Sequence, residues 1–212
     1  MGLFDKKNCD VCGGKIGLLG NRKLKDGNLC KDCTAKLSPL FSERKQSSVA
    51  EIKEQLIYRE ENKKAAAAFN VTRSLGAAKK VLVDDGAGKF MVSSAKKPAD
   101  ENADVIGISQ ITACELKIEE SCSEIYDRDD KDNEVSFDPP RYEHTFDFNM
   151  TIKVKSPWFD EIRLRLVNSD IVINTTGSDT AGKGGPELGR TSEEFRAAEA
   201  LAAEIKSALK QA

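Results

Sequence analysis

Apolar residues along this chain keep two different periods, and the change comes near residue 79. Between residues 48 and 69, Val49, Ile52 and Leu56 recur at three- to four-residue spacing. Arg59, Glu60, Glu61, Lys63 and Lys64 fill the other faces, which predicts an amphipathic helix with those charges in water. Ser48-x-x-Glu51 is a capping box at its start, where serine and glutamate each take up a free N–H of the first turn. From Lys79 onward the spacing becomes strand-like. Strands are expected at about 80–84, 88–93, 105–108, 112–119, 143–155, 161–167 and 171–175. Phe146, Phe148, Met150, Ile152 and Val154 alternate onto one face, as do Ile162, Leu164 and Leu166. A last helix is expected from about 192 to 211. Thr191 caps it, and Phe195, Ala198, Leu201, Ile205 and Leu209 line one side.

Seven short strands with no helix between them indicate an antiparallel sandwich or barrel, and the closing helix suits one end of it. That order looks like the pleckstrin-homology architecture, a fold shared by many functions. The expected class is α+β: a small finger at 1–41, a linker and connecting helix at 42–78, and a pleckstrin-homology-like β domain at 79–212.

The finger is predicted by chemistry rather than by periodicity. Cys9-x2-Cys12 and Cys30-x2-Cys33, with 17 residues between the pairs, have the spacing of a structural zinc site. Each pair presents two thiolates to one ion, and two pairs complete a tetrahedron with no open position for a substrate. Gly13 and Gly14 let the backbone turn around the sulfurs. A hairpin with arms Ile16–Leu19 and Arg22–Lys25 is expected to follow, turning at Gly20-Asn21. Knuckle, hairpin, then a second cysteine pair opening a helix is the order of a treble-clef finger, with a zinc ribbon as the near alternative. One structural Zn2+ on Cys9, Cys12, Cys30 and Cys33 is expected.

The order of parts also resembles a family of small, uncharacterised bacterial proteins with an N-terminal four-cysteine finger. The resemblance rests on Cys9-Asp-Val-Cys12-Gly-Gly-Lys-Ile-Gly-Leu, on Leu24-Lys-Asp-Gly-Asn-Leu-Cys-Lys-Asp-Cys33 and on Trp158-Phe-Asp-Glu-Ile162. It implies zinc and the fold, and it implies nothing about process.

Charge and the remaining motifs narrow the function classes. Net charge is -2, but residues 1–45 hold ten Lys and Arg against five Asp and Glu, whereas 119–138 is strongly acidic. No 18-residue apolar run spans a membrane, the N-terminus lacks the apolar core of a signal peptide, and reduced thiols fit the cytoplasm. Cys114 and Cys122 are then free thiols. Gly184-Gly-Pro-Glu-Leu-Gly189-Arg-Thr191 superficially matches a phosphate loop, but Arg190 stands where lysine is required. Asp127-Arg-Asp-Asp-Lys-Asp-Asn-Glu134 lacks the glycine of a calcium loop and reads as a solvated segment. His144 is the sole histidine and reads as structural. Trp158 and Phe159 read as core plugs at a strand connection.

No catalytic residue, and no small-molecule substrate, is therefore expected. The chain reads as a non-enzymatic zinc-binding interaction or adaptor protein with an unidentified protein partner. Nucleic-acid binding through Arg22, Lys23 and Lys25 is the alternative. Association of Lys79, Lys80, Lys89, Lys96 and Lys97 with an anionic membrane surface is a third.

Overall fold

The computed structural model describes residues 7–77, 79–95, 101–182 and 184–210. Contacts divide the chain into two compact units that interleave in sequence. One comprises 1–73, 82–110 and 154–161; the other comprises 74–81, 111–153 and 162–212.

In the first unit the metal-type finger leads. Strands β1 (Arg22–Lys23) and β2 (Asn28–Leu29) pair antiparallel, with Arg22 opposite Leu29. Helix α1 (Lys31–Ala35) follows directly. The hairpin therefore turns at Lys25-Asp26, closed by Leu24 N–H donating to Gly27 O at 2.8 Å, and the expected pairing of Ile16–Leu19 with Arg22–Lys25 does not form. Residues 18–20 make a turn of their own, because a separate bridge between Asn8 and Lys15 has already used the preceding segment. Gly27 has no room for a side chain, since a Cβ there would meet Val49 and Asp10.

Helix α2 (Val49–Ala67) begins at the expected capping box: Glu51 N–H donates to Ser48 Oγ and Ser48 N–H to Glu51 Oε2. Its buried face, however, is Ile52, Gln55, Arg59 and Asn62. Arg59, expected in solvent, is 1% exposed because it has buried partners. Its guanidinium pairs with Asp104 and donates to the Asn102 carbonyl at 2.8 Å. Asn62 spans the next residues, donating to Ala103 O at 2.7 Å and accepting from Val105 N at 2.8 Å. Asp104 also accepts from Ser38 Oγ at 2.7 Å and Tyr58 Oη at 3.1 Å. Burial pushes its carboxyl up against the pull of those donors.

Strands β3 (Arg73–Leu75), β4 (Lys80–Asp84), β5 (Lys89–Ser93) and β6 (Ile106–Gly107) form a four-stranded sheet in chain order. Leu82 and Met91 bury there with Ala66 and Phe69. Trp158 packs edge-on against Phe41, ring centres 5.9 Å apart, beside the buried Phe159.

The second unit is built on two long strands, β7 (Ile111–Arg128) and β8 (Glu134–Val154). With β9 (Glu161–Arg165) and β10 (Ile171–Thr176) they make a second four-stranded sheet, ordered β10-β8-β7, with β9 also on β8. Ile173 lies opposite His144 in the antiparallel β8–β10 pair. The alternating face of β8 from Phe146 to Val154 is buried as expected. Helix α4 (Glu193–Ala208) supplies Phe195, whose ring meets Phe146 at 5.2 Å and Phe148 at 4.9 Å in edge-to-face geometry. Its cap is Ser192, not Thr191; the Thr191 hydroxyl instead donates to Leu188 O of the short helix α3 (Gly185–Gly189). A Cβ on Gly189 would overlap the Phe195 ring, so this close approach requires glycine.

Among the described residues the strands from β3 onward form two four-stranded sheets and no closed barrel, which corrects the barrel expectation. The acidic stretch 119–138 is also ordered: β7 and β8 run through most of it as a ribbon.

Candidate metal centre

The cysteine site is assembled by backbone turns on both sides. Gly13 takes a positive φ of 73°, which lets its N–H donate to Cys9 O at 2.8 Å while Cys9 N–H donates to Gly14 O at 2.8 Å. This knuckle places Cys9 and Cys12 together. Asp10 fastens it to β2, donating from its N–H to Asn28 O and accepting Asn28 N–H at Oδ2, 2.6 Å away. Leu29 ends the hairpin in the finger core, so Cys30 falls at the N-cap of α1 and Cys33 within its first turn. The Cys33 N–H donates to Cys30 Sγ at 3.3 Å, and the Cys30 N–H donates to Cys9 Sγ at 3.3 Å.

All four sulfurs lie within 4.8 Å of one another, and Cys12 and Cys30 Sγ are 3.8 Å apart. A disulfide needs about 2.05 Å. Four thiolates about 2.3 Å from a central zinc ion would instead sit about 3.8 Å apart along each tetrahedral edge. The cluster can thus hold a metal ion, and its donors are the soft set that zinc takes. Cys9 and Cys33 are buried, and Leu24, Leu29, Leu37 and Ile52 pack around them.

Electrostatics agree with that geometry. Burial raises the Cys9 thiol, but the N–H groups of Cys12, Cys30 and Val11 outweigh it and bring it down to about 6. Cys33 goes the other way, pushed up by burial and by its hydrogen bonds to the other three thiols. Thiolates this close repel one another, and a divalent cation at their centre removes the repulsion.

Elsewhere the motifs lead away from ligand binding. The glycine loop before α3 already carries an anion: Glu120 accepts Gly184 N–H at 2.8 Å and Gly185 N–H at 2.9 Å. A carboxylate from β7 occupies the place a phosphate would need. Nothing in the sequence pointed to Glu120, since the contact spans 64 residues. His144 is fully buried, its Nδ1 3.2 Å from the same carboxylate and its Nε2 3.1 Å from Thr175 Oγ1. Cys122 Sγ lies 3.9 Å from Nε2, and Cys114 is half-buried.

In the acidic turn, Asp129 Oδ1 accepts the N–H groups of Lys131 and Asn133 at 2.8 and 2.9 Å, so the carboxylate closes its own turn. Of the lysines considered for lipid, Lys96 and Lys97 lie outside the described residues; Lys79 and Lys80 belong to one unit and Lys89 to the other. Among the described residues no helix is long and apolar enough to cross a membrane.

Residues 7–55 match a family model described as a domain of unknown function, DUF4428. The match runs from the knuckle through the first turns of α2 and includes all four cysteines. No curated protein and no solved structure matches the chain.

Proposed function

We propose that Cys9, Cys12, Cys30 and Cys33 hold one structural Zn2+ in a treble-clef finger, and that the chain is a non-enzymatic interaction protein of the cytoplasm. The observation that carries the reading is the 3.8 Å separation of Cys12 and Cys30 Sγ, the tetrahedral edge of a four-thiolate zinc site. Knuckle, β1–β2 hairpin and a cysteine-capped α1 support the treble clef over a ribbon, whose second pair would sit on a second knuckle. Bound zinc would supply cross-linking of the knuckle to α1. Four protein sulfurs complete its coordination, and a closed site of this kind holds structure rather than activating water. For residues 79–212, long antiparallel strands followed by an amphipathic helix support the pleckstrin-homology-like reading. A protein partner fits a chain whose reactive-looking motifs are each satisfied internally.

Metal analysis of the purified chain tests this. One zinc per chain, released together with finger structure by a chelator, is the expected result. Iron, or no metal with the finger still folded, would overturn it.

A further inference from the structure

Leu18 and Leu19 are 85% and 92% exposed, more than any other large apolar side chain among the described residues. Single exposed leucines are ordinary, but two in succession at the outermost point of a turn are not. The turn is closed by Gly20 N–H donating to Gly17 O at 2.9 Å, and glycines on both sides leave the leucines as its whole surface. Behind it, Ile16 packs into the finger core, and Arg22 Nη1 donates to Leu19 O at 3.2 Å. The tip is therefore anchored at both ends with its apolar side chains outward.

Charge around the tip has one sign. Residues 11–25 contain Lys15, Arg22, Lys23 and Lys25 and no acid. The acids that flank this stretch in sequence are engaged in backbone, Asp10 accepting Asn28 N–H and Asp26 accepting Val49 N–H at 2.7 Å, while Lys25 lies at the start of α2 within reach of Glu51. Lys15, Lys23 and Lys25 are exposed.

We propose that the Gly17–Gly20 tip binds an anionic lipid bilayer, inserting Leu18 and Leu19 below the headgroups while Lys15, Arg22 and Lys23 stay among the phosphates and carboxylates. A bilayer interface offers apolar depth and anionic surface in the order the tip presents leucine and cation. A nucleic-acid backbone offers the anions alone and would leave both leucines in water. The proposal goes beyond the structural-zinc reading, which it needs only to hold the tip in place.

Flotation of the full-length, zinc-loaded chain with phosphatidylcholine vesicles, with and without phosphatidylserine, is the test. The chain should float with the phosphatidylserine vesicles and not with phosphatidylcholine alone. Leu18→Ala and Leu19→Ala should each weaken binding about tenfold, and Lys23→Gln about fivefold. These side chains are exposed, so zinc content and finger amide protection should stay at wild-type values. A double leucine variant that floats like wild type overturns the proposal, as does a wild type that does not float. Tight, salt-sensitive binding to RNA that survives both leucine changes would assign the cations to nucleic acid and overturn it too. Zinc stoichiometry on the same samples separates failure of the metal reading from failure of the tip.

Discussion

Around the four thiols, the buried aliphatic residues are Leu24, Leu29, Leu37 and Ile52. Along β8 and α4 the buried apolar residues are Phe146, Phe148, Met150, Ile152, Phe195 and Ile205, with Ala198 and Ala202 between. The second set is aromatic-rich and contiguous, and apolar burial alone can hold it at about 1.5–3 kcal/mol for each large side chain. The first set is too small to order about thirty residues against their conformational entropy. The difference teaches that the four-cysteine segment relies on the cross-link proposed for it, whereas the β8–α4 layer relies on shape. Each should fail in its own way.

The largest effect should come from Cys30→Ser. Structural zinc supplies about 10–16 kcal/mol of apparent folding energy in small fingers, so on the zinc proposal the variant should lose its metal and amide protection over residues 7–37. Exchange across 143–153 should stay at the wild-type rate. Loss of protection in both regions would break the comparison. Phe195→Ala should do the opposite, costing about 4 kcal/mol in urea unfolding of the β8–α4 layer with metal content unchanged.

Arg59→Met leaves Asp104 buried without its cation and should cost about 3 kcal/mol. Paired replacement of both residues by apolar ones should recover most of that loss, which a purely steric role for Arg59 would not allow. Gly189→Ala should cost about 1–3 kcal/mol through overlap with the Phe195 ring; a smaller side chain at 195 should relieve it. Ser48→Ala, which removes one cap from α2, should cost about 1 kcal/mol in thermal unfolding.

What could be read from the sequence was whatever a short window contains. Two Cys-x2-Cys pairs, the Ser48–Glu51 box and five apolar residues alternating along β8 each state their structure locally. The buried face of α2 could not be read this way. Arg59 and Asn62 look solvated until Asp104 and its neighbours are brought back from more than forty residues away. The 119–138 ribbon was missed for a related reason. Charges lie on both of its faces, so no apolar alternation marks it, yet the strand ladder needs only backbone groups. Leu18 and Leu19 misled in the other direction: apolar residues suggested a hairpin arm where the fold makes an exposed turn.

That face of α2 carries one more consequence. An apolar stripe tolerates small slides along a helix, because neighbouring methyl groups are nearly interchangeable. Arg59 and Asn62 each address particular atoms of residues 102–105, and a shift by one turn would leave all of them unmatched at once. The segment 102–105 therefore works as a key cut for this helix. Anyone transplanting the finger with α2 into another protein would have to carry that key along, although it lies well outside residues 7–55.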